Sequence, residues 1–129
     1  MARRNTAQRA VDDRGSTTLT TVVLTPVFLV IALMAFQAAL WTHARTEARV
    51  IARDSAALVA RSHADAAATE QSALAMLQGD SDITGAAVDI AVNGDLVRAR
   101  VTGRAPGMIP GTSAGVDVVE AVPREAFRP

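Results

Sequence analysis

The chain has no cysteine, no lysine and no tyrosine, and aromatic residues make up only 3% of its 129 positions. Without cysteine there can be no disulfide, thiol nucleophile, thiolate metal centre or lipidated N-terminal cysteine. All 13 cationic residues are arginine, a usage that points to a GC-rich bacterial genome. The 13 acidic residues balance them, so no net basic field attracts nucleic acid. With so few aromatics, any interior must be built largely from alanine and the branched aliphatics. The most informative absence is local. Between Arg14 and Arg45 there is no Asp, Glu, Lys or Arg.

That uncharged stretch, STTLTTVVLTPVFLVIALMAFQAALW at residues 16–41, organises the rest of the chain. A hydrocarbon layer about 30 Å thick needs about 20 helical residues, and Val22 to Trp41 provides a nearly unbroken apolar run of that length. A helix satisfies its own backbone hydrogen bonds in lipid, as an isolated strand cannot. Thr18, Thr20, Thr21 and Thr25 are compatible with it, because a helical hydroxyl can bond back to a preceding carbonyl. A soluble protein of this size has too little remaining chain to surround such a helix. A cleaved secretion signal has a shorter apolar region followed by a small-residue site, whereas helix-forming residues follow here. Residues 16–42 are therefore expected to form a transmembrane helix. Trp41 is expected to anchor its far end, and Pro26 to kink it or mark its regular start. Gln37 is the one amide in the run, suited either to reaching interfacial water or to a hydrogen bond with a neighbouring helix.

Residues 1–15, MARRNTAQRAVDDRG, read as a short polar leader. Arg3, Arg4, Arg9 and Arg14 favour a cytoplasmic N-terminus, and Arg45, Arg49 and Arg53 on the other flank oppose it. The shortness of the leader decides for N-in, C-out. Beyond the span, residues 43–79 keep helical composition as an extracytoplasmic helical region. Ala48, Ile51, Ser55, Leu58 and Ser62 make an apolar-to-small stripe, and Ser62 to Asp65 resembles a capping box for a second helix ending at Gly79. Residues 80–129 read as a small β-rich domain. Val88, Ile90 and Val92 alternate with other residues, Asn93-Gly94 signals a hairpin with positive φ at both turn positions, and LVRARVTGR returns. Val97, Ala99 and Val101 share one face, with Arg98 and Arg100 on the other. A third strand is expected around Val116 and Val118, with the helix before Gly79 covering the sheet. The fold class is α+β: a long N-terminal transmembrane helix extending into an external helix, then a small antiparallel three-stranded sheet.

No catalytic or cofactor-binding set emerges. His43 and His63 lack a chelating spacing, Asp80 and Asp82 fit a solvated helix-ending turn, and no phosphate loop, nucleophile elbow or zinc-protease helix occurs. The arginines lack interleaved aromatics, which speaks against single-stranded nucleic acid. The expectation is a non-enzymatic protein with no metal and no cofactor.

The uncharged run, followed by IARDSAALVA, resembles the TadE-like family of bacterial pilus-assembly proteins. The resemblance rests on Arg14-Gly15-Ser16, on Pro26 within the run, and on Ala52-Arg53-Asp54-Ser55-Ala56 beyond it; the tail VRARVTGRAP…IPG…VVEAVPRE is similar to actinobacterial members. It implies a single-pass pseudopilin-like or assembly component of a Tad-type pilus or secretion apparatus, partnered by the bilayer and by other membrane proteins of that apparatus. It also implies prepilin-peptidase cleavage between Gly15 and Ser16. Thr20, Pro26, Gln37 and Arg53 are the candidate helix-packing residues. The family pattern has a glutamate where this chain has Thr20, and a hydroxyl carries no charge to pair with a new amino terminus in lipid. That substitution favours a membrane-retained accessory protein over a filament subunit. The other class of reading is a membrane-anchored extracytoplasmic binding or sensor module unrelated to pili.

Overall fold

The computed structural model describes residues 18–124 in full and residues 4–17 through their helical backbone. The chain divides into two compact units, Met1–Phe36 and Gln37–Pro129. Its elements are helix α1 (Arg4–Ser62), helix α2 (Ala66–Asp80) and strands β1 (Thr84–Asn93), β2 (Leu96–Ala105) and β3 (Ala114–Pro123). This is the expected α+β architecture. The strands form an antiparallel meander in the order β1-β2-β3.

In the first unit α1 is uninterrupted. It opens at Arg4, within the stretch read as the leader, and passes through Pro26, so the proline lies inside the helix and does not start it. Proline has no N–H for the Val22 carbonyl four residues back. The Thr25 hydroxyl donates to the Thr21 carbonyl at 2.7 Å, the back-bonding expected of threonines in such a run.

In the second unit the sheet has one apolar face. Ile90, Val97, Ala99, Val101, Ala105, Val116 and Val118 are buried there, and Arg98 and Arg100 point the other way. Period-two alternation produces this directly. The cover is broader than the sequence suggested. Leu77 of α2 joins the core, but most of the helical contribution is α1's ladder of Ala44, Ala48, Ala52, Ala56 and Ala60. Steps of four residues overshoot a 3.6-residue turn by about 40° each. Ser55 and Val59, one residue back, keep the buried stripe aimed at the sheet. The expected stripe was shifted towards bulk: Ala48 and Ser55 are buried, whereas Leu58 remains 52% exposed and Ser62 is also exposed. Small side chains let the helix backbone approach the valine-rich sheet closely, so size misled where spacing did not.

The helix break also differs from the capping-box expectation. Ser62 is the last residue of α1, its hydroxyl donating to the Leu58 carbonyl at 2.6 Å, and His63 turns the chain with φ of 53°. Asp65 is the true N-cap of α2, accepting from the Ala68 N–H at 3.1 Å. At the other end α2 runs one residue past Gly79 to Asp80, and Ser81 caps it. Alongside β1, Glu70 Oε1 accepts the Ile90 N–H at 2.6 Å, satisfying a strand N–H that β2 does not use.

The first hairpin corrects the turn geometry. Asn93 pairs with Leu96 as the last rung of the ladder, so Gly94 and Asp95 are the two turn residues. Gly94 has φ of 59°, and neither Asn93 nor Asp95 is among the residues with positive φ. Positive φ at the first central position alone is the type II′ pattern, for which glycine in that place suffices.

Candidate functional site

Two surfaces carry functional weight, one in each unit. In the first unit the large apolar side chains from Leu19 to Phe36 are all exposed, from 40% at Leu33 to 72% at Leu19. None of the most apolar window is buried within the protein. The helix that starts there is long and apolar enough to cross a membrane. Thr20 and Pro26 lie on this exposed stretch. Gly15 and Ser16, the candidate cleavage pair, lie in the part of α1 that is described through its helical backbone alone.

In the second unit α1 begins with a polar fastening. Gln37 Nε2 donates to the Thr112 carbonyl at 3.2 Å, and Gln37 Oε1 accepts the Met108 N–H at 3.1 Å. One turn later Trp41 Nε1 donates to the Gly115 carbonyl at 3.0 Å. Gln37 thus holds the backbone of the loop joining β2 to β3, and Trp41 holds the start of β3. Gln37 was expected to meet water or another helix; its partner is instead the chain's own loop. The loop is shaped by a turn in which the Thr112 N–H donates to the Ile109 carbonyl at 3.0 Å. Pro110 and Gly111 fill its centre, and Gly111 has φ of 90°. Proline then glycine with positive φ is the type II arrangement. The Thr112 hydroxyl adds a second donor to the Ile109 carbonyl at 2.7 Å.

The arginine ridge separates into individual roles. The Arg45 guanidinium lies 5.2 Å from the centre of the Trp41 ring, a cation–π contact that braces the indole. Arg49 meets Glu120 of β3 at 3.2 Å, tying helix to sheet at its rim. Arg53 is exposed and lines a shallow open groove on α1 with Asp54, Ala57, Leu58 and Arg61. On the outer face of the sheet Arg100 and Asp117 form a two-pronged pair at 3.0 and 2.6 Å. The hydrogen bond from Arg100 holds the Asp117 carboxyl below the usual carboxylate range, and the same contact raises Arg100 further. Among the described residues no three His, Asp or Glu side chains converge as a metal site.

Comparison with protein-family models, with curated proteins and with solved structures found no match. The TadE-like resemblance therefore stands on its local motifs. Of the candidate helix-packing residues, Gln37 acquires a defined partner, Thr20 and Pro26 lie on the exposed apolar helix, and Arg53 borders the groove. The fastening of Gln37 to the β2–β3 loop had no signal in the sequence beyond an amide closing the apolar run, because its partners are 71 and 75 residues away.

Proposed function

We propose that the chain is a non-enzymatic, single-pass membrane component of a Tad-type pilus or secretion apparatus, with its N-terminus in the cytoplasm and its sheet domain outside. The observation that carries the membrane part is the exposed apolar helix from Leu19 to Phe36, followed directly by a folded unit whose polar side chains take over at Gln37. A stretch whose large apolar side chains all face outward suits lipid or apolar partner helices, not water. The pilus part is supported by the motif order Arg14-Gly15-Ser16, Pro26 and Ala52-Arg53-Asp54. Thr20 in place of a carboxylate favours a retained accessory component over a filament subunit. In this role the exposed helix packs against other apolar helices of the apparatus, and the sheet unit, held by its alanine ladder, presents Arg53 and the charged outer face of the sheet.

Mass spectrometry of the protein extracted from membranes of cells with an active prepilin peptidase tests the assignment. The product beginning at Ser16 is expected, with the leader absent. An intact leader under those conditions would refute processing at Gly15 and remove the strongest link to pilin-like proteins. Cross-linking in the same membranes should recover other membrane proteins of the apparatus through the segment containing Thr20 and Pro26.

A further inference from the structure

We infer that the loop between β2 and β3 is a second membrane contact, inserting Met108 and Ile109 into the interface of the leaflet that the external domain faces. This rests on the membrane-spanning reading given above. From Ala105 to Val116 the chain carries no charge, although Arg104 and Asp117 stand immediately on either side. At the tip Met108 and Ile109 are 51% and 56% exposed, two large apolar side chains adjacent in the chain. Within the second unit the tip is fastened to Gln37, the first residue of that unit, which follows the apolar run directly in sequence. Along α1 the Gln37 fastening stands one turn, about 6 Å, before Trp41. Tryptophan characteristically sits at the headgroup level, so a loop held one turn below it reaches the boundary of the acyl chains.

The loop's backbone is suited to such a place, where unsatisfied polar groups are costly. Pro106 and Pro110 have no N–H to satisfy. The Met108 N–H and the Thr112 carbonyl are bonded to Gln37, and the Ile109 carbonyl accepts twice from Thr112. Arg104, whose guanidinium reaches Ser113 Oγ at 3.5 Å, stands at the base of the loop, where a cation can meet lipid phosphate. The helix and the loop together would fix the external domain at two points, setting its tilt as well as its distance from the bilayer.

The natural absence of cysteine allows single cysteines to be placed and labelled in the full chain, reconstituted in vesicles of three parts phosphatidylcholine to one part phosphatidylglycerol. Environment-sensitive fluorophores at Val27→Cys, Ile109→Cys and Gln78→Cys are compared, with nitroxide quenchers carried at shallow or deep positions on the lipid chains. The expected result is strong deep quenching at Val27, at least twofold shallow quenching at Ile109, and no quenching at Gln78, which lies exposed on α2. Gln37→Ala should abolish most of the Ile109 quenching while leaving that at Val27 unchanged. Quenching at Val27 without quenching at Ile109 overturns the loop contact and leaves the span intact. Absence of quenching at Val27 overturns the spanning reading, and the loop contact with it. A blue-shifted Ile109 label that lipid nitroxides do not quench would mean that a protein, either a second copy or a partner, covers the loop, and this also overturns the proposal.

Discussion

The two units are built from nearly the same apolar residues and use them in opposite ways. Between Leu19 and Phe36 valine, leucine, isoleucine and phenylalanine face outward, whereas Val97 and Val101 of the sheet are fully buried and the ladder alanines Ala44, Ala48, Ala52, Ala56 and Ala60 are fully or nearly so. The difference lies in arrangement. A run that is apolar all round has no preferred inside, so its burial must come from lipid or other helices. A period-two strand and a ladder of small residues each define one face, and two such faces can bury each other. What matters in the first unit is polarity alone; in the second, shape also matters.

That contrast can be broken most forcefully with charge. Leu29→Asp combined with Ile31→Asp places two carboxylates near the middle of the run, at a cost of about 5–7 kcal/mol for insertion. The double variant should leave the carbonate-resistant membrane fraction while the sheet domain keeps its β signal by circular dichroism. A smaller effect is expected from added bulk. Ala52 is fully buried against the sheet, so Ala52→Leu should destabilise the second unit by about 1–3 kcal/mol in thermal melts of the full chain. Val27→Leu, an equal or smaller change on the exposed helix, should leave both melting and membrane fraction unchanged. Equal sensitivity at the two positions would contradict the distinction between shape and polarity.

Turn chemistry gives a smaller effect still. Gly94→Val forces a β-branched residue to φ near 59° and should cost on the order of 1 kcal/mol or more, read as a lowered melting temperature. Gly94→Asn, which tolerates positive φ better, should cost less. The smallest effect is electrostatic. Because Asp117 is held low by Arg100, its contribution is present above the ordinary carboxylate range and is lost as pH falls through and below that range. The pair is exposed, so the effect on stability is slight and is best followed through the Asp117 carboxyl carbon by NMR. Arg100→Gln should move that titration upward. A titration unchanged by Arg100→Gln would remove the pair as its cause.

The elements with a strong period were legible in the sequence. The uncharged run, the alternation through Val97, Ala99 and Val101, and the return after Asn93-Gly94 all lead to the α+β fold that is found. The misreadings were local competitions between similar signals. Ser62 and Asp65 could each cap a helix, and the hydroxyl of Ser62 is taken by the Leu58 carbonyl, which leaves the role to Asp65. Leu58 looked more like core than Ala52 because it is larger, yet close approach of helix and sheet selects the smaller residue. Gln37 could not be read at all. An amide's partner across more than 70 residues depends on where a loop returns, and no local propensity encodes that.

Labelling single cysteines in intact cells tests most directly the claim that one apolar helix separates a cytoplasmic leader from an external domain. In cells lacking a prepilin peptidase, where the leader is kept, a membrane-impermeant maleimide should label Gln78→Cys in intact cells and Gln8→Cys only after the membrane is opened. Labelling of Gln8→Cys from outside with Gln78→Cys protected would invert the topology. Labelling of neither until lysis would place the whole chain inside the cell, and either result would contradict the account.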